Sequence, residues 1–268
     1  MSYKIIVLDL DGTLMSSKNE ILPETKEALI QIQKKGIKVV LASGRPTFGL
    51  LKIVKELRLD EFGGYTLSFN GARIINVQTG EMIYDKSLTP EVCHQLYDLS
   101  REFKVNIMAY EEDTIITTDD DDYIQIESRI NGMSIRRVNH FKQAVTANSV
   151  KCLATGEPKH IANVEKKIKA RLGNQLSICR SMPYFLEFMP QNINKAYSLQ
   201  KLLNHLNLDK SQLIACGDGY NDLSMVEFAG LGVAMANAVD EVKARANYLT
   251  ASNDDNGIVQ VIDKFILD

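Results

Sequence analysis

Asp9 and Asp11 stand at the end of an unbroken apolar run, Ile5-Ile6-Val7-Leu8, in the string Asp9-Leu10-Asp11-Gly12-Thr13. Alternate side chains of a strand share a face, so both carboxylates point the same way, and Gly12 permits a sharp turn just beyond them. Two unit charges held roughly 4 Å apart repel by about 4 kcal/mol at an effective dielectric near 20. Such a pair implies a proton, a cation or a reaction. Three more groups join them: Ser43-Gly44 behind the apolar segment 37–42, Lys195 at the start of a helical pattern, and Asp218 with Asp222 behind the apolar segment 213–216.

Four carboxylates and one lysine suit a divalent cation together with a phosphate. Mg2+ is commonly held by one or two carboxylates, waters and phosphate oxygens. Asp9, the backbone carbonyl of Asp11 and Asp218 are the candidate metal ligands, and Asp222, one turn further on, can orient them. Ser43 and Asn221 can donate hydrogen bonds to a phosphate alongside the backbone N–H groups of Leu10 and Gly44. Lys195 lies where the helix macrodipole disfavours a cation, a small penalty that a bound anion reverses. Thr13, Arg45 and Asn70 are supporting candidates. Arg45 can equally pair on the surface, and Asn70 can be a turn residue.

The elements that must position these groups follow from the pattern. Strands are expected over 3–8, 37–42 and 65–69, separated by helices over 23–35 and 48–57. This rhythm implies a parallel sheet covered on both faces, with ligands at the carboxyl ends of its strands. After about Met82 the pattern changes. A helix opens at Thr89-Pro90-Glu91 with the apolar stripe Val92, Leu96, Leu99 and Phe103. Hairpins over 105–118 and 176–189 flank helices near 123–130 and 161–172, with a strand near 150–154 between those two. From Asn194 the strand–helix alternation returns, with helices over 195–206, 221–228, 239–246 and 258–265, and strands over 213–216, 232–235 and 248–250. The expected architecture is a doubly wound, Rossmann-like α/β core, residues 1–82 and 190–268, carrying an inserted α+β cap, residues 83–189.

Bulk properties bound the partners. The chain has 268 residues, 45% hydrophobic and 24% charged, with a formal net charge of −3. No basic stripe stands out, so no nucleic-acid partner is expected. No apolar run approaches the roughly 20 residues that span a bilayer, and no signal-peptide pattern opens the chain, so no membrane partner is expected. Cys93, Cys152, Cys179 and Cys216 are scattered, which fits a reducing, cytoplasmic setting. The acidic run 119–122 reads as a solvated loop, residues 254–257 as a loop and helix cap, and the four histidines show no ligand spacing. Cys216 reads as an inert buried thiol. Glu187 can touch a sugar hydroxyl or form an ordinary salt bridge.

Asp-Leu-Asp-Gly-Thr-Leu, Ala-Ser-Gly-Arg, the lone Lys195 and Gly-Asp-Gly-Tyr-Asn-Asp, in that order, resemble the four motifs of the haloacid dehalogenase (HAD) superfamily. The insertion between the second and third motifs, with Phe69-Asn70-Gly71-Ala72, resembles the Cof-type branch. Residues 183–187 resemble that branch's sugar-phosphatase members. The resemblance covers essentially the whole chain and departs at Ala196, where the family usually has glycine. It implies a Mg2+-dependent phosphatase acting on a small phosphorylated metabolite, sugar phosphates foremost, as a monomer or homodimer. Asp9 is then the nucleophile, forming an aspartyl phosphate, and Asp11 the general acid and then base, its carboxyl raised relative to that of Asp9. The cap is expected to close over the strand ends and read the leaving group. The rivals are a phosphosugar mutase and a phosphometabolite-binding protein without turnover.

Overall fold

A computed structural model describes residues 3–267. The chain divides into two compact units, residues 1–85 with 194–268, and residues 86–193. The unit boundaries lie a few residues later than the sequence pattern suggests. Residues 82–85 pair into the core sheet, and Pro190 still pairs with Leu176 in the inserted unit.

The first unit is built on β1 (Ile5–Leu8), β2 (Lys38–Ala42), β3 (Tyr65–Ser68), β4 (Arg73–Asn76) and β5 (Met82–Asp85). The inserted unit holds β6 (Asn106–Glu111), β7 (Thr114–Thr117), β8 (Ser134–Arg137), β9 (Cys152–Thr155), β10 (Leu176–Met182) and β11 (Phe185–Pro190). The first unit then resumes with β12 (Leu213–Gly217), β13 (Leu231–Ala234) and β14 (Tyr248–Leu249).

Among the described residues the first unit forms one sheet in the order β14-β13-β12-β1-β2-β3-β4-β5. The strands from β14 to β3 run parallel, and β4 and β5 are antiparallel. The central strands are buried along almost their whole length because helices cover both faces, which is why they read as continuous apolar runs. From β1 the chain winds outward to β3, then resumes on the other side of β1 with β12. The strand order therefore reverses between β1 and β12, and the crevice of a doubly wound sheet lies at the carboxyl ends of that pair.

Several helices sit where their caps place them. Pro23–Lys34 begins with proline and is followed by Gly36 at φ +86°. Lys195–Leu206 is capped by the Asn194 side chain, which accepts from the Tyr197 N–H. The helix expected over 221–228 starts instead as a 3-10 turn, Tyr220–Asp222, before Leu223–Phe228.

The inserted unit is a second sheet, β10-β11-β9-β6-β7-β8, antiparallel except for β7 and β8. Helices Pro90–Phe103 and Pro158–Leu172 pack on one face, over Ile107, Ala109, Cys152, Ala154, Leu186 and Phe188. Helix Asp122–Asn131 packs on the other, over Met108, Tyr110, Leu153 and Phe185. That division follows the period-two alternation of the strands. Strand β8 escapes the sequence pattern because Ser-Ile-Arg-Arg carries one apolar residue and lies on the sheet edge.

Candidate active site

The candidate catalytic, phosphate-binding and metal-ligating residues all fall in the first unit, mostly on loops behind β1, β2, β3 and β12, whereas Glu187 lies in the inserted unit. Lys195 joins three of the groups. It is fully buried at the first position of its helix. Its Nζ donates to Asp9 Oδ1 at 2.6 Å, to Asp222 Oδ1 at 2.6 Å and to the Ala42 carbonyl at 2.8 Å. Three acceptors match the three protons of an ammonium. Asp222 is equally buried, and its other oxygen accepts from the backbone N–H groups of Asp218 and Gly219 at 3.0 Å each. Both Asp222 oxygens are thus engaged, so its place is to orient Lys195 and the turn that carries Asp218.

Asp218 accepts from the Thr13 hydroxyl at 2.8 Å, tying the loop behind β12 to the loop behind β1. Gly12 lies against the same carboxylate. Its φ of +88° suits glycine, and an added Cβ would fall 2.3 Å from Asp218 Oδ2. One oxygen each of Asp9, Asp218 and Asp222 lies within 4.8 Å of the others. Three carboxylates therefore face one ammonium. Burial, opposed by Lys195, pushes the Asp9 carboxyl from its ordinary 3.8 up to about 8. Burial also raises Asp218. Lys195 itself is held above the ordinary lysine value: its own desolvation works against that, and the charges of Asp9 and Asp222 outweigh it.

The loop behind β2 supplies Ser43, which is buried. Its hydroxyl accepts from the Arg45 N–H at 3.1 Å. Gly44 lies close to Asn70, whose Nδ2 would stand 3.2 Å from an added Cβ. Asn70 in turn accepts from Asn221 Nδ2 at 3.2 Å, so Gly44, Asn70 and Asn221 form one polar rim. Phe69 and Asn70 both have left-handed backbones, and Gly71 follows at φ +104°. Hydrogen bonds hold this turn: Phe69 N–H to the Arg45 carbonyl, Asn70 N–H to the Ser43 carbonyl, and the Ser198 hydroxyl to the Gly71 carbonyl. Leu10 buries its side chain in the core while its carbonyl accepts from Thr13 and Met15.

Asp11 stands apart from the buried set. Its side chain is 59% exposed and both oxygens accept from Arg45, from Nε at 3.1 Å and Nη2 at 2.5 Å. The sequence reading raises the Asp11 carboxyl relative to that of Asp9. In the structure Asp9 is the buried carboxyl that is pushed up, while Asp11 is open to water and ion-paired. Other readings resolve as follows. Glu187 accepts from Lys151 Nζ at 2.9 Å, an ordinary though largely buried salt bridge. The acidic run is engaged rather than merely solvated: Asp119 pairs with Arg101, Asp120 with Arg137, and Asp121 caps the helix that follows. Cys216 is fully buried and its thiol is raised by burial.

Three positions escape sequence reasoning. Asn237 Nδ2 donates to the Gly12 carbonyl at 2.7 Å, Asn253 Nδ2 to the Met15 carbonyl at 2.8 Å, and Asp254 Oδ1 accepts from the Ser17 N–H at 2.8 Å. Their partners are backbone groups more than 200 residues away, and asparagine in a loop otherwise signals only a turn.

Buried carboxylates thus gather around one lysine at the switch point of a doubly wound sheet, where such sheets bind ligands. A family model for haloacid dehalogenase-like hydrolases matches residues 6–262. The chain belongs to that family. It is 31% identical over 269 residues to YxeH of Bacillus subtilis (strain 168), provisionally named a phosphatase, covering 99% of each chain. It is 29% identical to YcsE of the same organism, a 5-amino-6-(5-phospho-D-ribitylamino)uracil phosphatase, covering 100% of this chain and 97% of that one. The crystal structure of a haloacid dehalogenase-like hydrolase from Bacteroides thetaiotaomicron superposes with a TM-score of 0.92 at 46% identity, covering 98% of this chain and 99% of that one. A HAD subclass IIB sugar phosphatase superposes at 0.77 and 25% identity, covering 98% of each. The chain is a Cof-type phosphoric monoester hydrolase of that family.

Proposed function

We propose that the chain hydrolyses small phosphate monoesters, sugar and sugar-alcohol phosphates foremost, in a Mg2+-dependent reaction through Asp9. The arrangement of Lys195 between Asp9 and Asp222, beside Asp218, carries this reading. In the first step an Asp9 oxygen attacks phosphorus, the ester P–O bond breaks, and the leaving oxygen takes a proton from Asp11. In the second step Asp11 takes a proton from water, the water oxygen attacks phosphorus, and the bond to Asp9 breaks to release inorganic phosphate. Asp11 must exchange its contact with Arg45 for the leaving oxygen, which its exposure allows. The Ser43 hydroxyl and the N–H groups of Leu10 and Gly44 are the donors for charge on the phosphoryl oxygens, and Lys195 adds its positive charge, donating once one of its three acceptors gives way. Asn221 and Asn70, hydrogen-bonded to each other, lie beside Gly44.

The donor set fits Mg2+. It consists of hard oxygens, and its three carboxylates outnumber the one ammonium among them. Asp9, the Asp11 carbonyl and Asp218 would hold the ion, with Asp222 and Thr13 fixing Asp218. Bound there, the ion would supply charge neutralisation and polarisation of the phosphoryl group. The substrate class is supported by the relatives: one acts on a ribityl phosphate and another is a sugar phosphatase, and both substrates carry phosphate on a polyhydroxylated carbon skeleton. Four free thiols, three of them buried, support a cytoplasmic setting. No helix among the described residues is long and apolar enough to cross a membrane.

Inorganic phosphate release from a panel of sugar phosphates, polyol phosphates and nucleotides, with Mg2+ and with chelator, tests the reading. Metal-dependent release that Asn at position 9 abolishes (Asp9→Asn) is the expected result. Isomerised sugar phosphate without release would point to a mutase, and saturable binding without turnover to a sensor.

A further inference from the structure

The loop behind β1 carries the nucleophile, and its own side chains anchor it: Leu10, Leu14 and Met15 are buried, Thr13 donates to Asp218, and Asp9 accepts from Lys195. Its backbone is held from outside as well, by the loops behind β13 and β14. Asn237 donates to the Gly12 carbonyl at 2.7 Å, and its own oxygen accepts from the Asn253 N–H at 3.1 Å. Asn253 donates to the Met15 carbonyl, and Asp254 accepts from the Ser17 N–H, both at 2.8 Å. Two residues beyond Asn237, the Val239 N–H donates to the Asp218 carbonyl at 3.0 Å. One short segment, residues 237–239, thus grips both the loop bearing Asp9 and Asp11 and the loop bearing Asp218.

The partners dictate the side chain. The Gly12 carbonyl needs a donor and the Asn253 N–H needs an acceptor, side by side. A carboxamide offers both on one branch, whereas a carboxylate offers only acceptors. Replacing the amide nitrogen by a carboxylate oxygen would set two acceptors against each other at the Gly12 carbonyl.

We propose that Asn237, backed by Asn253, is a positioning residue for the reaction: it sets the Asp9–Asp11 loop against Asp218. The inference rests on the phosphatase reading above. A displacement of about 1 Å in a reacting group can cost on the order of a hundredfold in rate, so a lost tether here acts on turnover more than on stability.

The test compares Asn237→Ala, Asn237→Asp and Asn253→Ala with the unaltered protein. The readouts are kcat and KM for p-nitrophenyl phosphate with Mg2+, the melting midpoint, and amide hydrogen exchange of the cation-free protein. Both changes at Asn237 should lower kcat about tenfold or more, with KM within about twofold and the midpoint within a few degrees. Asn253→Ala should give a smaller loss, not additive with the first. In Asn237→Ala the Asn253 amide should exchange faster. Full kcat in Asn237→Asp overturns the proposal, because that variant keeps the acceptor and loses only the donor to Gly12. A loss of kcat that merely follows the melting midpoint also overturns it. If Asn237→Ala does not fold, Asn237→Asp and Asn253→Ala decide. No hydrolysis of any phosphate ester by the unaltered protein overturns the phosphatase reading, and this inference with it.

Discussion

Each unit of the molecule buries a lysine between two carboxylates. In the first unit Lys195 bridges Asp9 and Asp222 at 2.6 Å each. In the inserted unit Lys151 Nζ lies 2.9 Å from Glu187 and 3.7 Å from Glu127. Glu127 also accepts from the Tyr110 hydroxyl at 2.5 Å, and the ammonium sits 5.1 Å from the centre of the Tyr110 ring. The charges match, but the placements differ. Lys195 opens its helix and meets Asp9 behind β1 and Asp222 in the turn behind β12, at the carboxyl ends of parallel strands, with a third carboxylate, Asp218, close by. Lys151 and its partners stand along a sheet face and under a helix, where Tyr110 donates into the cluster. The first arrangement adds a third carboxylate, whereas in the second a phenol donates to the surplus carboxylate. Buried charge alone therefore does not mark a catalytic centre. The position on the fold, and what surrounds the surplus carboxylates, decide it.

The sharpest way to break this contrast is to remove each ammonium. Lys195→Met should lower kcat by about 10² to 10³, the scale of losing one preorganised donor to developing charge. Its effect on folding is softened because Asp9, already raised to about 8, can take up a proton. Lys151→Met should do the reverse. Breaking a buried pair and leaving carboxylates behind costs about 3 to 5 kcal/mol, while kcat per folded molecule should stay within about threefold. Denaturant titration of the two variants, read against phosphate release, is the measurement. Equal losses of turnover in both would collapse the distinction.

A smaller effect probes the packing that brings Asp218 in. Gly12→Ala must accommodate a Cβ that would fall 2.3 Å from a carboxylate oxygen at a backbone φ of +88°. We expect a stability loss of about 1 to 3 kcal/mol from strain, with kcat falling more than KM rises. An alanine at Gly80, which also has a positive φ but meets nothing within 4 Å, is the control for backbone strain alone. A Gly12→Ala protein with unchanged kcat would mean that the contact with Asp218 is not part of the machinery.

What was legible in the sequence divides along the same physical line. Asp9, Asp11, Ser43 and Asp218 could be found because each follows an apolar run, and a doubly wound sheet brings such strand ends together. Lys195 could be found because a capped helix starts there. Interactions made by one residue with the backbone of a distant loop left no trace. Asn237 and Asn253 drew no reading, because nothing local reveals a carbonyl more than 200 positions away. Pairings between distant side chains were equally hidden: Arg45 with Asp11, and Lys151 with Glu187 across 36 residues. Strand β8 was lost for a different reason. It gains its place from pairing with β7, not from any apolar pattern of its own.

The smallest effect separates the two clusters by pH. The Asp9 carboxyl lies at about 8 in the folded chain against an ordinary 3.8. A raised group contributes its full stability below the unfolded value, and that contribution is lost as pH climbs through the folded value. The first unit without a divalent cation should therefore weaken between about pH 4 and pH 8. Lys151 is raised above an ordinary 10.5, so its contribution is complete throughout that window and fades only in stronger alkali. Mg2+ competes with the proton on Asp9 and should restore stability where the carboxylate is ionised. At a hundred times its dissociation constant a ligand contributes about 2.7 kcal/mol, and about 2 to 4 °C per kcal/mol is expected for a chain of this size. The melting midpoint should thus rise by several degrees with Mg2+ at pH 8 and by less at pH 5.5. The exchange of amides in β9 and β11, beside Lys151, should not respond to the cation. A Mg2+ shift equal at both pH values would separate the ion from Asp9, and protection spreading to β9 and β11 would mean that the two clusters do not respond independently.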